Sequence, residues 1–218
     1  MKGLLIKDFK LMKNQIQFFA IIIFICLVFL VFYKSPFFCI GYITIMLSVF
    51  TISTISYDEY DNGFAYLFTL PVTRKRYVGE KYVFGLITGT VSLAAISLIS
   101  YGAFSLRHLT FAGEEWVSSI LSSFLLIVFM LALMIPLQFK FGSKKSRIAM
   151  IGTFAAAVLI AYLIAKAGAA LNVDFDAVFT KLVNSSLPVI ALMIMAVCVV
   201  MLIISYLAAV KIMEKKEF

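Results

Sequence analysis

Residues 187–210 read LPVIALMIMAVCVVMLIISYLAAV, twenty-four positions without a single charge. At a rise of about 1.5 Å per residue, a helix needs about 20 such residues to cross a hydrocarbon layer of about 30 Å. The stretch is therefore read as a membrane-spanning helix. Working back towards the N-terminus, five more runs satisfy the same test: Ile16 to Tyr33, Phe37 to Ser56, Tyr82 to Phe104, Val117 to Phe139 and Ile148 to Ala165. They are continuously apolar and lack the alternating ten-residue pattern of a membrane barrel, so they predict helices.

The composition agrees. Of 218 residues, 63% are apolar and 14% charged, with a mean hydropathy of +1.07. Soluble domains run about 45–50% apolar and about 25% charged, which excludes an ordinary water-soluble enzyme. The charges are also unevenly divided among the connections. Fifteen of the nineteen Lys and Arg fall on one side of the spans, in four groups: Lys2 to Lys13, Arg74 to Lys81, Lys140 to Arg147 and Lys211 to Lys216. The other side has only Lys34, Arg107, Lys166 and Lys181. Cytoplasmic connections hold the basic excess, so both termini are predicted to face the cytoplasm. The formal charge of +8 follows from insertion and anionic lipid, and no nucleic-acid partner is needed to explain it. The first span is too long for a secretory h-region and is expected to be retained. Cys26, Cys39 and Cys198 lie within spans and read as small packing residues.

Two segments outside the spans are amphipathic. Residues 1–15 place Leu5, Phe9, Met12 and Ile16 at helical spacing, with Lys7, Lys10 and Lys13 on another face. This predicts an interfacial helix in the headgroup plane. Residues 57–81 form the longest cytoplasmic connection, YDEYDNGFAYLFTLPVTRKRYVGEK. Asp58, Glu59 and Asp61 precede Gly63, which permits a tight turn, and Pro71, which ends or redirects a helix. Between them, Phe64, Leu67 and Phe68 share one face of a short helix. That face is expected to meet a partner, because the acidic cluster suits an anionic leaflet poorly. On the outer side, residues 171–186 carry Phe175, Phe179, Leu182 and Val183 at helical spacing and predict an amphipathic or re-entrant element.

The stretch D-E-x-x-x-G-x-x-x-L-F-T-L-P-V-T-R from Asp58 to Arg74 resembles the coupling segment of type-2 ATP-binding-cassette (ABC) transporter permeases. The six-span layout, cytoplasmic termini and amphipathic N-terminal helix are similar too. The resemblance implies a single all-α transmembrane domain over 1–218, with a cytoplasmic coupling helix between helices 2 and 3. It implies that Asp58, Glu59, Asp61, Gly63, Phe64, Leu67, Phe68, Pro71 and Arg74 belong to the segment that docks on a separate ATPase. Many relatives have Thr-Leu-Glu after the Gly, where this chain has Phe64, Ala65 and Tyr66. The layout is similar to small Gram-positive peptide exporters, including the phenol-soluble-modulin exporters. The implied partners are two cytoplasmic ATPase subunits, which bind ATP and Mg, and a second permease chain, identical or homologous.

No phosphate-binding G-x-x-x-x-G-K-[ST] loop occurs in the sequence, so no cofactor is expected on this chain. His108 stands without a second His, an H-E-x-x-H or a Ser/His/Asp grouping, and no metal or catalytic site is predicted. Mid-span carboxylates, which a proton-coupled carrier would use, are missing. Mild polarity remains. Thr44, Ser48 and Thr51 form a stripe on the second span, and Gly85, Gly89 and Ser92 form a small-residue surface on the third. Both can pack helices or line a path for an amphipathic peptide or lipid-like cargo. The leading expectation is thus a permease subunit of an ABC exporter. The alternative is a non-pumping membrane immunity or binding protein that sequesters a peptide or regulates another complex.

Overall fold

The computed structural model describes residues 2–32, 36–60, 63–106, 113–170 and 187–216. All secondary structure among them is helical: α1 (Lys2–Asn14), α2 (Ile16–Phe32), α3 (Pro36–Glu59), α4 (Gly63–Leu67), α5 (Arg74–Leu106), α6 (Gly113–Ala170) and α7 (Leu187–Lys215). Helices follow from the solvent. A backbone in hydrocarbon must satisfy its own hydrogen bonds, and a helix does so within one segment. The expected segment 171–186, together with Lys34, Asp61, Arg107 and His108, lies outside the described residues.

Four described helices are long and apolar enough to cross a bilayer: Phe37–Glu59, Arg74–Leu106, Trp116–Ser143 and Pro188–Lys215. The first expected span, Ile16 to Tyr33, coincides with α2 as far as Phe32. Helix α2 has 17 residues, about 26 Å of helix. It meets the length test only when joined to α1, from which it is bent by 66°. The count is therefore four, or five with the bent pair, where the sequence pattern predicted six. The run from Ile148 to Ala165 falls on the helical backbone of α6 after Gly142.

Helix α3 is the axis of the bundle, packing on α5, α6 and α2, while α7 packs on α6 and α5. Lipid tails are as apolar as leucine, so burial of apolar area cannot drive this association and close contact must. The α3–α5–α6 seam supplies it. A Cβ on Gly85 would lie 2.6 Å from Leu131 Cδ2 and 3.0 Å from Thr51 Oγ1. One on Gly89 would lie 2.8 Å from Ile127 Cγ2 and 3.3 Å from Ser48 Oγ. Away from the seam the large side chains of α2 and α7, such as Phe24, Ile21, Leu192 and Ile204, point outward. That is the expected polarity for a helix pack in lipid.

Helix α6 has 58 residues and would extend about 87 Å if straight. Gly142 interrupts it at φ 69°, ψ 173°, a region open essentially to glycine alone. The Glu59 carboxylate occupies the space beside it, with Oε1 2.5 Å from where a Cβ would stand. Gly142→Ala should therefore lower stability by about 1–3 kcal/mol. Gly102→Ala, whose Cβ would meet nothing within 4 Å, should be neutral or mildly stabilising. Thermal unfolding of the two variants in detergent, compared with the parent chain, measures the difference.

Candidate functional site

The basic end of the bundle contains a buried knot of charge. Lys81 of α5 is fully enclosed, yet its ammonium binds carboxylates from two other helices. It donates to Asp8 Oδ2 of α1, lies 2.9 Å from Asp58 Oδ2 of α3 and donates to Thr54 Oγ1 at 3.1 Å. Lys7 of α1 donates to the other Asp58 oxygen, and the Tyr77 hydroxyl donates to Asp58 Oδ2 at 2.9 Å. The Tyr77 ring also lies under the ammonium, 5.2 Å from its centroid. Glu80 is buried beside them, 3.7 Å from Lys81 Nζ. Neither Glu80 oxygen has a hydrogen-bond partner among the described residues. Three carboxylates thus face two ammonium groups. An enclosed ion costs several kcal/mol in lost hydration, and only close opposite charge and hydrogen bonds offset that.

A second set of polar contacts ties the last helix to the same end. Glu59 Oε2 accepts from the Ser143 backbone N–H at 2.7 Å and from its hydroxyl at 2.6 Å. These bonds cap the helix that resumes after Gly142, where unpaired N–H groups favour an anion. Glu59 Oε1 lies 3.3 Å from Lys216 Nζ. Arg74 Nη1 donates to the carbonyls of Met213 and Glu214 at 3.0 and 2.6 Å in the last turn of α7, where helix carbonyls run out of intrahelical partners. Glu59 and Arg74 therefore clamp α7 from α3 and α5.

The short helix α4 lies between these contacts, and its apolar face turns inward. Phe64 is 3% exposed and Leu67 8%. The Phe64 and Phe68 rings meet Tyr77 edge-on at 5.7 and 5.9 Å, and Tyr77 lies against Phe139 at 6.0 Å. Lys216 lies over Phe64 and Arg74 over Phe68. The sequence pattern expected this face to meet a partner; here it meets its own chain, because the aromatic platform of Tyr77 and Phe139 covers it. Gly63 allows the approach, since a Cβ there would stand 2.5 Å from the Asp58 carbonyl oxygen. Beyond the helix, Pro71 sits in the exposed turn, and the Thr73 hydroxyl accepts the Arg76 N–H at 3.4 Å to start α5. The outward surface consists of Tyr60, Tyr66 and Leu70, with Tyr66 73% exposed.

The residues read as path or packing lie inside the α3–α5–α6 seam. Thr44, Ser48 and Thr51 are buried. Thr44 and Ser48 donate back to Ile40 O and Thr44 O at 2.5 and 2.8 Å, and Ser92 donates to Gly89 O at 2.7 Å. These three hydroxyls serve their own helices, the Thr51 hydroxyl has no hydrogen-bond partner among the described residues, and Ser48 and Thr51 face Gly89 and Gly85 in close contact. Nearby, the Tyr82 and Ser205 hydroxyls share a hydrogen bond, and Ser205 donates to Ala132 O, joining α5, α7 and α6.

The sequence pattern brought forward Asp58, Glu59 and Arg74 but treated Asp8, Tyr77, Glu80 and Lys81 only as charges or connectors. One signal was present. Asp8 falls one turn after Leu4 and one before Met12, so an acid stood on the stripe of α1 that packs inward. The burial of Lys81 had no such signal, because a lysine just before an apolar run ordinarily reaches to the interface.

Fold and site define a helical, multi-pass membrane protein whose only built polar centre among the described residues lies at its basic end. Residues 3–214 match the family model described as ABC-2 family transporter protein, and the chain belongs to that family. No curated protein and no solved structure matches it. Membership makes it a membrane permease component of an ABC transporter, a class that works with an ABC ATPase.

Removing one partner from a buried ion pair leaves an uncompensated charge and costs about 3–5 kcal/mol. Lys81→Met should destabilise the chain by that amount, and Lys81→Met with Asp8→Asn should recover part of it. Thermal unfolding of the single and double variants gives the coupling.

Proposed function

We propose that this chain is the membrane-spanning subunit of an ATP-driven exporter and moves an amphipathic peptide or lipid-like cargo out of the cell. In this reading six spans cross a bacterial cell membrane with both termini in the cytoplasm. Two such chains, identical or homologous, enclose the path. Two cytoplasmic ATPase subunits bind ATP and Mg and supply the work. In size and layout the chain is similar to the phenol-soluble-modulin exporters.

The observation that carries the reading is the bracing of residues 57–74. On the inner side, Phe64 and Leu67 pack on Tyr77 and Phe139, and Asp58, Glu59 and Arg74 engage α1, α5, α6 and α7. On the outer side, Tyr60, Tyr66 and Leu70 are open. A push delivered to such a segment cannot be absorbed locally, because it is anchored to several helices at once. The roles within the segment divide accordingly. Tyr60, Tyr66, Leu70 and Pro71 meet the ATPase; Asp58, Glu59, Gly63, Phe64, Leu67, Phe68 and Arg74 hold the segment to the spans, and Asp61 lies between the two groups in sequence. Cargo of mixed polarity suits spans whose polar groups are hydroxyls rather than charges.

Co-purification with a candidate ABC ATPase subunit tests this. Tyr66→Ala with Leu70→Ala should weaken the complex about tenfold or more and abolish cargo-stimulated ATP hydrolysis, while leaving the thermal unfolding of the isolated chain unchanged. Leu67→Ala should instead lower the unfolding temperature, as truncation of a buried leucine does. An intact complex and intact stimulation in the Tyr66/Leu70 variant overturn the proposal.

A further inference from the structure

The 66° bend between α1 and α2 leaves an open groove of about 390 Å³ between the two helices and α3. Phe9 lines it from α1, Phe19 and Ile22 from α2, and Ile43 and Leu47 from α3. The polar exception is Lys13, at the C-terminal end of α1 where the chain turns. Lys13 is exposed and makes no ion pair among the described residues. The volume falls in the range of about 300–1,000 Å³ typical of small-molecule sites. Apart from Lys13, the lining offers no polar partner that would orient a water-soluble ligand.

We propose that this groove holds an acyl chain of an anionic phospholipid from the leaflet at the basic end, with its phosphate on Lys13. The inference rests on the membrane location of the chain and not on the transport reading. Position argues for it first. Helix α1 carries Lys2, Lys10 and Lys13 exposed beside Ile6 and Phe9, the composition of a helix in the headgroup plane. Helix α2 descends from it with Gln17 in its first turn as its one polar residue and no charge. The corner between them is the level at which headgroup gives way to acyl chain, so an apolar groove rimmed by an ammonium matches the two parts of one lipid. Charge argues against a symmetric contact with a second copy. The acid on α1 and α2 is Asp8, which is fully enclosed, so a two-fold contact would set Lys13 against the partner's basic helix with no carboxylate to meet it. A bound lipid would splint α1 against α3 beside the Asp8–Lys81 and Lys7–Asp58 pairs.

Native mass spectrometry of the delipidated full chain in detergent, titrated with phosphatidylglycerol or phosphatidylethanolamine, tests the site. The expected result is one phosphatidylglycerol retained in preference to phosphatidylethanolamine. Lys13→Gln should weaken that retention about fivefold, the weight of one lysine beside an anionic surface. Lys10→Gln, on the same helix but outside the groove, should leave the discrete adduct in place. Ile43→Trp should fill the groove and remove it. Should that variant fail to fold, phosphatidylglycerol with a photoreactive acyl chain decides on the parent protein, with crosslinks expected at Phe19, Ile22 or Leu47. Equal retention of both lipids, retention unaffected by Lys13→Gln, crosslinks spread over α7, or crosslinks between two copies at the groove would each overturn the proposal.

Discussion

An ammonium group enclosed by protein at the end of a membrane bundle is the constraint around which this structure is organised. Lys81 cannot keep its charge there unless Asp8 and Asp58 come to it, and each arrives on a different helix. The N-terminal helix, the first long span and the base of α5 are thereby fixed relative to one another. Lipid provides no hydrophobic drive to do this. Ionic contacts have a clear geometric role in such a setting, because a displaced partner leaves a charge without compensation.

From that knot the connections extend outward in sequence. Asp58 is followed by Glu59, which caps the helix after Gly142 and reaches Lys216. Tyr77, which donates to Asp58, is also the ring on which Phe64 and Phe68 rest. Arg74, one turn earlier, holds the last carbonyls of α7. A segment of under twenty residues between α3 and α5 therefore touches most of the helices at this end. In the proposed function, such density of contact is what lets one small surface act on the whole pack. Deeper in the bundle, Gly85 and Gly89 against Ser48, Thr51, Ile127 and Leu131 let three helices approach closely.

Much of this was open to reading from the residues alone. Charge-free runs of bilayer length give helices and a membrane location, since hydrocarbon leaves the backbone no other economical choice. The skewed distribution of Lys and Arg predicts an orientation, and the pattern from Asp58 to Arg74 contains some of the clustered polar residues, Asp58, Glu59 and Arg74, but not Asp8, Tyr77, Glu80 or Lys81. The small-residue stripe on α5 was legible as a packing surface because steric bulk is a local property. Span counting was less secure, since α2 is short by itself and reaches bilayer length only when joined to α1 across the bend.

The sequence by itself determined the solvent, the helical class and the position of the braced segment, because hydropathy, length and turn residues act locally along the chain. Only the tertiary structure decided which way α4 faces and which charges are buried. Phe64 and Leu67 turn inward into a cluster with Tyr77 and with Phe139, which is far away in sequence. Lys81 is enclosed because carboxylates 73 and 23 positions away close over it. Burial and pairing belong to the meeting of helices, and a one-dimensional pattern contains no term for them.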